Sequence, residues 1–307
     1  MQYPIEFNDI FNSIQGYRDK YADELIVIKF GGTIAEDPGA IALLARQVEY
    51  LSHSVNAKII MVHGGGVLID RKLKQAGIEI KKNPSTGMRV TDYESIDLID
   101  KELRALNRNL VRDFTHFAPH LSMIGMAGYD GFAIKASSDE GSFTGIADNI
   151  NQQYLTRLIS AKGNVPIIYP ICFNKDECAD PRLNVNADHV ASILASKLKA
   201  RRLILCSDVP GVLDANGDLI RGLSTSQVDT LIKNKTVTGG MIAKLQSATH
   251  SAQQVTSGGV VILNGREENA LLKELLTDEG HGTLIRRPER ISDLSKPEFT
   301  NYKPVQK

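Results

Sequence analysis

Two lysines that stand beside glycines are the residues of this sequence best suited to bind a phosphate group. Lys29 lies in the apolar run Leu-Ile-Val-Ile-Lys-Phe (25–30), just before Gly31 and Gly32, and Lys244 follows Gly240 and Met241. Glycine lets bare backbone N–H groups approach a ligand, and lysine supplies a compact positive charge. Together they suit the charge that spreads over a phosphoryl group in transfer. Taken alone, the first stretch fits a structural turn with a solvent-exposed lysine better.

A second glycine cluster and one aspartate extend this pattern. Gly64, Gly65 and Gly66 follow another apolar run, and neither cluster has the spacing of a Rossmann or P-loop motif. Two lysines at one anionic site repel each other, and a carboxylate between them would hold both in place. Asp188, at a loop-to-helix junction, is the candidate for that role. An ordinary helix-capping aspartate explains the same spacing.

Arg89 and two asparagines are candidates for binding an organic substrate. Arg89 precedes a predicted helix start, and its planar fork suits a carboxylate. In isolation an exposed arginine is the better explanation. Asn184 and Asn186 could supply neutral donors or build turns.

The composition excludes several classes of function. The 307 residues carry 36 basic and 36 acidic side chains, so no net field attracts nucleic acid or a membrane surface. Cys172, Cys178 and Cys206 form an odd and sparse set, which is typical of a reducing compartment. No metal-ligand spacing and no long apolar segment is found. We therefore expect a cytoplasmic protein without a bound structural metal.

Strand-like and helix-like patterns alternate along the chain, which indicates parallel βαβ units with both glycine loops at the carboxyl edge of one sheet. A polar, turn-rich stretch at 173–181 is a candidate boundary between lobes. An N-terminal helix with an apolar face formed by Phe7, Ile10, Phe11 and Ile14 is predicted to end at Gly16. The predicted strands lie near 25–30, 57–62, 121–126, 165–170, 202–206 and 260–263. The predicted helices lie near 38–51, 68–76, 93–117, 153–160, 224–233 and 270–276. A further helix is predicted to follow Asp188 and to include Leu198, and another to follow the segment 238–244 and to run to about 257. Residues 134–150 are predicted to form hairpins or a β-flap.

The order of the motifs between about Leu25 and Ile285 resembles the amino acid kinase superfamily and, within it, the acetylglutamate kinases. Each motif is weak alone, but eight in the correct order are specific. They are Val-Ile-Lys-Phe-Gly-Gly (27–32), Val-His-Gly-Gly-Gly (62–66), Gly-Met-Arg-Val-Thr-Asp (87–92), Gly-Tyr-Asp-Gly (128–131), Asn-Val-Asn-Ala-Asp (184–188), Ser-Asp-Val-Pro-Gly-Val-Leu (207–213), Gly-Gly-Met-Ile-Ala-Lys (239–244) and Gly-His-Gly-Thr-Leu-Ile (280–285).

The resemblance implies an α/β fold, an αβα sandwich around a mainly parallel open sheet with two lobes. Residues 1–22 would form an oligomerisation helix, 23–180 a lobe for the acyl amino acid and for dimerisation, 181–287 a lobe for ATP, and 288–307 a tail. The added N-terminal helix resembles that of the arginine-inhibited, hexameric members. Residues 278–283 resemble part of their inhibitor site, so L-arginine and a homodimer or hexamer are implied partners.

The resemblance also implies ATP-dependent phosphorylation of the side-chain carboxylate of N-acetyl-L-glutamate, a step of arginine biosynthesis, with Mg²⁺ held by the phosphates. Lys29 and Lys244 would stabilise the phosphoryl group and Asp188 would organise both lysines. Gly31, Gly32, Gly64 and Gly65 would donate N–H groups, and Gly65, Gly66, Arg89 and Asn184 would bind the acyl amino acid. The nucleotide would lie against Ser207, Asp208, Val209, Gly211, Val212, Leu213, Gly240, Met241 and Lys244.

Some positions depart from the family pattern. Thr33 and Val67 replace an asparagine and a proline beside the glycine clusters, and Asn269 replaces a histidine that is linked to arginine inhibition. Arg104-Ala105-Leu106-Asn107-Arg108 replaces Gly-x-Val-Asn-Lys. Two alternatives stay open, namely a kinase for another N-acylated acidic amino acid and a non-catalytic module that senses arginine or another amino acid.

Overall fold

The computed structural model describes residues 16–83, 89–139, 142–176, 180–237, 240–255, 258–278 and 280–287. The apolar face predicted for the N-terminal helix and the predicted tail from 288 onward lie outside the described residues. Residues 16–21 are helical. The predicted end of the first helix at Gly16 is therefore wrong, and the helical segment runs on to Tyr21, whose side chain is buried.

One eight-stranded sheet forms the middle layer, in the order β12-β14-β13-β11-β1-β2-β8-β5. Six strands are mutually parallel, and β14 and β12 run in the opposite direction. This confirms the predicted mainly parallel sheet. The strands are β1 (Leu25–Phe30), β2 (Lys58–His63), β5 (Ser122–Ala127), β8 (Asn164–Tyr169), β11 (Arg202–Ser207), β12 (Gly222–Ser224), β13 (Gly259–Asn264) and β14 (Thr283–Arg286).

Strand β1 lies between β11 and β2 in the interior of the sheet, and its alternating side chains supply both faces. Ile26, Ile28 and Phe30 pack into one apolar layer, whereas Leu25 and Val27 pack into the other. Full burial of such a side chain stabilises the fold by roughly 1.5–3 kcal/mol. The same alternation fixes the face on which Lys29 lies, since side chains two residues apart share a face.

Helices cover both faces, as predicted for an αβα sandwich. They are α1 (Gly32–Ala35), α2 (Pro38–Glu49), α3 (Gly66–Gln75), α4 (Tyr93–Phe117), α5 (Gln152–Leu158), α6 (Ala187–Lys197), α7 (Thr225–Lys233), α8 (Gly240–Gln254) and α9 (Ala270–Leu276). Helices α2, α4 and α9 pack on the face of Ile26, and α5, α6, α7 and α8 pack on the face of Val27. Asp92 caps α4 in a capping box with Ser95.

Four short strands form a small closed barrel beside the sheet, in the order β10-β7-β6-β9. They are β6 (Ile134–Ser137), β7 (Thr144–Ile150), β9 (Ile171–Asn174) and β10 (Arg182–Val185). The hairpin of β6 and β7 matches the predicted flap. Its closure with β9 and β10 was not predicted, and the proposed lobe boundary at 180/181 falls in the connection between these last two strands. A ribbon of β3 (Lys81–Lys82) and β4 (Arg89–Val90) lies nearby in the chain.

Candidate active site

Lys29 and Asp188 meet at the carboxyl edge of the sheet. Lys29 lies on the face of β1 that packs against α6, and Asp188 lies in the first turn of that helix. The Lys29 Nζ atom is 2.7 Å from Asp188 Oδ1, and the two side chains are 16% and 26% exposed. Asn186 caps α6 by accepting hydrogen bonds from the Asp188 and His189 N–H groups. The cap is therefore Asn186, which leaves the Asp188 carboxylate to pair with Lys29.

A cavity of about 340 Å³ opens in front of this ion pair. It is lined by both glycine clusters, by the candidate substrate residues and by a short apolar wall. The lining residues include Lys29, Gly31, Gly32, Thr33, Gly64, Gly65, Gly66, Val67, Ile69, Arg89, Leu103, Thr144, Pro170, Asn184, Asn186 and Asp188. One cavity thus brings together residues that are spread over 160 positions of the sequence. This agrees with the prediction that both glycine loops lie at the carboxyl edge of one sheet.

The two glycine clusters approach each other at the floor of the cavity. A Cβ atom on Gly32 would lie 3.4 Å from Gly65 Cα, and one on Gly65 would lie 2.6 Å from Leu103 Cδ2. Gly65 therefore has no room for a side chain. Gly64 differs from its neighbours because its N–H donates to Phe30 O at 3.0 Å. It forms part of the cavity wall, and its N–H group is already used within the fold.

Arg89 is held at the cavity by the N-terminal end of α3. Its Nε atom donates to Asp70 Oδ1 at 3.2 Å, its Nη2 atom donates to the same oxygen, and Nη2 also donates to Gly66 O at 3.0 Å. The Arg89 side chain is only 13% exposed. The guanidinium is therefore pre-oriented at the wall rather than extended into solvent.

Asn184 is tied to the segment that carries Arg89. Its Nδ2 atom donates to Thr91 Oγ1 at 2.8 Å. The Thr144 hydroxyl accepts from the Thr91 N–H at 2.6 Å and donates to Arg89 O at 3.3 Å. Two threonine hydroxyls therefore lock together three segments that are distant in sequence and that carry Arg89, Thr144 and Asn184.

Lys244 has partners other than Asp188 in this structure. Its Nζ atom lies 2.9 Å from Asp208 Oδ1 and also donates to Ser207 Oγ, at the end of β11. The hydrogen bond from Lys244 holds the pKa of Asp208 below its ordinary value. The structure thus joins Asp188 to Lys29 and Lys244 to Asp208, in place of the expected single aspartate between both lysines.

The loop after β11 carries the other candidate nucleotide residues, from Val209 to Leu213. Gly211 has φ = 152°, and a Cβ there would lie 2.6 Å from Thr283 Oγ1. The Val212 N–H donates to Thr283 Oγ1 at 2.8 Å, and this hydroxyl donates to Ile220 O. Thr283 therefore supports the loop. Gly240 and Met241 begin α8, the helix that carries Lys244.

Several residues that shape the site are not among those that the sequence predicted for it. In the sequence, Asp70 looks like any polar residue of a helix. Its contact with Arg89 depends on how α3 packs, which the sequence does not show. Arg266 donates to Thr33 O at 2.6 Å from the other half of the chain. His63 and Asn107 lie buried beneath the glycine cluster. Both residues stand in the family motifs at 62–66 and 104–108, and Gly125 is a further signal, since a side chain there would collide with that of Asn107.

The described residues contain neither a metal-binding cluster nor a membrane-spanning helix. Within these ranges, no group of three or more His, Cys, Asp or Glu side chains is arranged to hold a metal ion. No helix in the part of the chain that the structure describes has the length and apolar character needed to cross a membrane.

Comparison with known proteins gives consistent results. Residues 24–264 match the family described as the amino acid kinase family. The chain is 35% identical over 273 residues to an acetylglutamate kinase of Pelagibacter ubique, and the match covers 89% of this chain and 92% of that protein. It is 36% identical to an acetylglutamate kinase of Nitrosomonas eutropha, with 88% and 92% covered.

Solved structures share the fold at lower identity. An N-acetylglutamate synthase of Neisseria gonorrhoeae, complexed with coenzyme A and L-arginine, superposes with a TM-score of 0.74 at 21% identity. That match covers 95% of this chain and 71% of the synthase. A carbamate kinase of Giardia gives a TM-score of 0.61 at 14% identity, covering 87% and 99%.

Proposed function

The chain belongs to the amino acid kinase family, and we propose that it transfers the γ-phosphoryl group of ATP to the side-chain carboxylate of N-acetyl-L-glutamate. The relatives that carry the acetylglutamate kinase name align over about nine tenths of the chain. The observation that carries the proposal is the shared cavity of the Lys29–Asp188 pair, both glycine clusters and Arg89. This is the arrangement that acyl phosphate formation needs, with cations and N–H donors around one transferring group.

The substrate half of the cavity accounts for an N-acylated acidic amino acid. Arg89 is the cation for the α-carboxylate, and Asn184 is a neutral group for the amide. The apolar side chains of Ile69, Leu103 and Val67 at the wall suit a small acyl group. Because Arg89 is already oriented by Asp70, little conformational entropy is lost when the carboxylate binds.

The reaction is a direct displacement at phosphorus. A side-chain carboxylate oxygen of the substrate forms a bond to Pγ, the bond from Pγ to the bridging β–γ oxygen breaks, and ADP leaves with that electron pair. Negative charge spreads over the transferred oxygens, where Lys29 and the N–H groups of the two glycine clusters other than that of Gly64 stabilise it. The ion pair with Asp188 holds the Lys29 ammonium group at the cavity.

ATP binding is assigned to the loop 207–213 and to the start of α8. Lys244 would leave Asp208 and reach the phosphates when the nucleotide is present. Mg²⁺ fits as an ion carried by the phosphates, since the described residues near the cavity offer isolated, already paired carboxylates rather than a ligand cage. When bound, Mg²⁺ would neutralise part of the phosphate charge, and the protein groups would position the phosphates.

The same proposal extends to regulation and assembly. We assign L-arginine as a feedback inhibitor and a cytoplasmic homo-oligomer as the working form. A hydrogen bond from Tyr17 to Asp278 supports the regulatory part of this proposal, because it connects the N-terminal helical segment with the stretch that resembles an inhibitor site. An arginine titration of activity, together with the mass in solution by light scattering, tests both statements.

Trapping of an acyl phosphate by hydroxylamine tests the central activity. ATP-dependent hydroxamate should form with N-acetyl-L-glutamate and only weakly with the N-acetyl derivatives of aspartate and aminoadipate. Preference for one of the other acids would change the assigned substrate. No hydroxamate with any of them would favour an amino-acid-sensing module.

Lys29→Ala tests the assigned chemistry. It should lower kcat by about 10²-fold or more, because a cation that stabilises developing charge is removed. Lys58→Ala is the matched control, since Lys58 also lies on a central strand and pairs with an aspartate, Asp23, but at the opposite edge of the sheet. Equal rates for both variants would remove Lys29 from the mechanism.

A further inference from the structure

A chain of hydrogen bonds beneath the second glycine cluster has no part in the function proposed above. Asn107 Nδ2 lies 2.9 Å from Ile167 O and 3.1 Å from His63 Nε2. His63 Nδ1 lies 3.2 Å from Gly64 O. His63 is fully buried and Asn107 nearly so. The chain therefore runs from β8 through α4 and β2 to the wall of the cavity.

The two carbonyl groups at its ends fix the position of every proton. Ile167 O can only accept, so the asparagine atom beside it must be the amide nitrogen. That nitrogen donates its second hydrogen to His63 Nε2, which must then be the unprotonated ring nitrogen. The ring proton consequently lies on Nδ1 and is donated to Gly64 O. His63 is neutral, and burial lowers its pKa to about 4, in keeping with this assignment.

The orientation of Gly64 O determines where the next N–H group points. In a trans peptide the carbonyl and the following N–H point in opposite directions, and the described residues contain no cis peptide. The hydrogen bond draws Gly64 O toward the buried imidazole, so the Gly65 N–H points away from it, toward the cavity that Gly65 lines. This N–H makes no hydrogen bond within the described residues.

The surrounding packing is shaped to keep the chain of hydrogen bonds in place. A Cβ atom on Gly125 would lie 2.4 Å from Asn107 Oδ1, so only glycine at this position leaves space for the amide. The His63 ring lies between the rings of Phe30 and Tyr169, with both centroids at 6.2 Å. The imidazole therefore has little freedom to turn.

From this geometry we infer that His63 and Asn107 are positioning residues, which together aim the Gly65 N–H at the reacting group in the cavity. The inference rests on the proposed kinase function for its catalytic consequence. Its structural content, the tautomer and the direction of the peptide, stands apart from that function. A glycine alone at position 65 could present either its N–H or the preceding carbonyl, and the latter would repel a phosphate.

Two variants of equal shape separate this role from simple packing. His63→Asn places an amide nitrogen where Nδ1 lies and keeps a donor for Gly64 O, whereas His63→Leu has the same size and no donor. Both variants leave the same space, so their thermal stabilities serve as the internal control. His63→Leu should lower kcat about 10²-fold with a smaller change in KM. His63→Asn should recover most of that loss. Equal kcat in two folded variants would overturn the inference.

The tautomer is measured without reference to activity. Nitrogen chemical shifts of histidine, with the His63 signal assigned by its loss in His63→Asn, should show a protonated Nδ1 and a bare Nε2. A proton on Nε2 would overturn the inference even in an active enzyme. A wild-type protein that shows the expected tautomer but forms no acyl phosphate would instead overturn the proposed function and leave the geometry intact.

Discussion

At the scale of single residues, the lysine and the arginine of the cavity are held by different aspartates. Asp188 holds Lys29 from the first turn of α6, and Asp70 holds Arg89 from α3. An ion pair at a cavity wall keeps each cation at one position, so a substrate does not need to order it on binding. Separate partners also let the phosphoryl site and the carboxylate site be altered independently.

His63 makes stability depend on pH with a predictable sign. Its folded-state pKa of about 4 lies below the ordinary value of 6.5, because burial disfavours the imidazolium. Between these values the unfolded chain takes up a proton that the folded protein excludes, so stability falls as pH falls through this window. The expected loss between pH 7 and pH 5 is about 2 kcal/mol from this residue.

Urea unfolding at pH 7 and pH 5 measures this contribution. His63→Asn is the matched reference because its amide does not titrate, and the carboxylates contribute equally to both proteins. Wild type should lose about 2 kcal/mol more than the variant. An identical loss in the two proteins would show that His63 titrates alike in the folded and unfolded states.

Sequence reasoning identified the charged and polar groups of the site better than the residues that hold them in place. Lys29, Asp188, Arg89 and Asn184 stand at the ends of recognisable elements, and the carboxyl-edge rule brings such ends together. The partner of Lys244 was not foreseen. Which carboxylate meets a flexible lysine depends on how α8 packs, and that is set by long-range contacts that no local pattern records.

At the scale of elements, the interior of the sheet was predictable and its margins were not. The runs that form β1, β2, β11 and β13 are continuous and apolar because both faces are buried. The short strand β14 has only four residues and runs against the sheet, so neither length nor alternation distinguishes it. The closed barrel depends on pairing between residues up to 40 positions apart, such as Asn184 with Thr144, which local periodicity does not encode.

Helix α3 contributes to the proposed substrate binding, since it places Asp70 beside Arg89. Asp70→Ala should raise KM for N-acetyl-L-glutamate about tenfold, because charged hydrogen bonds are worth roughly 1.5–3 kcal/mol and 1.4 kcal/mol is a factor of ten. The effect on kcat and on KM for ATP should be smaller, since Arg89 binds the part of the substrate that does not react.

A double-mutant cycle shows whether this effect passes through the arginine. In an Arg89→Ala background, Asp70→Ala should change KM no further. Asp113→Ala, which removes the partner of the exposed Arg112 on α4, is the control and should leave both constants unchanged. Additive effects of Asp70 and Arg89 would mean that Asp70 supports the cavity by another route.

At the scale of the whole molecule, the site depends on contacts between the two halves of the chain. Lys29 and both glycine clusters come from the first half, whereas Asp188 and Lys244 come from the second. Arg266 makes the clearest contact between the two halves. It donates a hydrogen bond to Thr33 O and pairs with Asp37, both more than 220 residues away in sequence. Thr33 directly follows Gly32, so Arg266 braces the first glycine cluster.

Arg266→Ala should therefore lower kcat about tenfold, while the melting temperature falls by no more than a few degrees. The lost hydrogen bond involves a charged donor, which is worth roughly 1.5–3 kcal/mol. Its partner Asp37 lies near the surface, where ion pairs contribute little to stability. Steady-state kinetics with ATP and N-acetyl-L-glutamate, beside a thermal melt, measures both effects.

Arg71→Ala is the informative comparison, because Arg71 pairs with Glu36 at the other end of the same short helix α1 but comes from the same half of the chain. If the contact between the two halves is what matters, Arg71→Ala should keep the wild-type kcat. Arg266→Lys should then show the same loss of kcat as Arg266→Ala, because lysine retains the charge but not the planar fork that reaches two acceptors. If α1 merely needs a cation on each side, Arg71→Ala loses as much activity as Arg266→Ala and Arg266→Lys loses none.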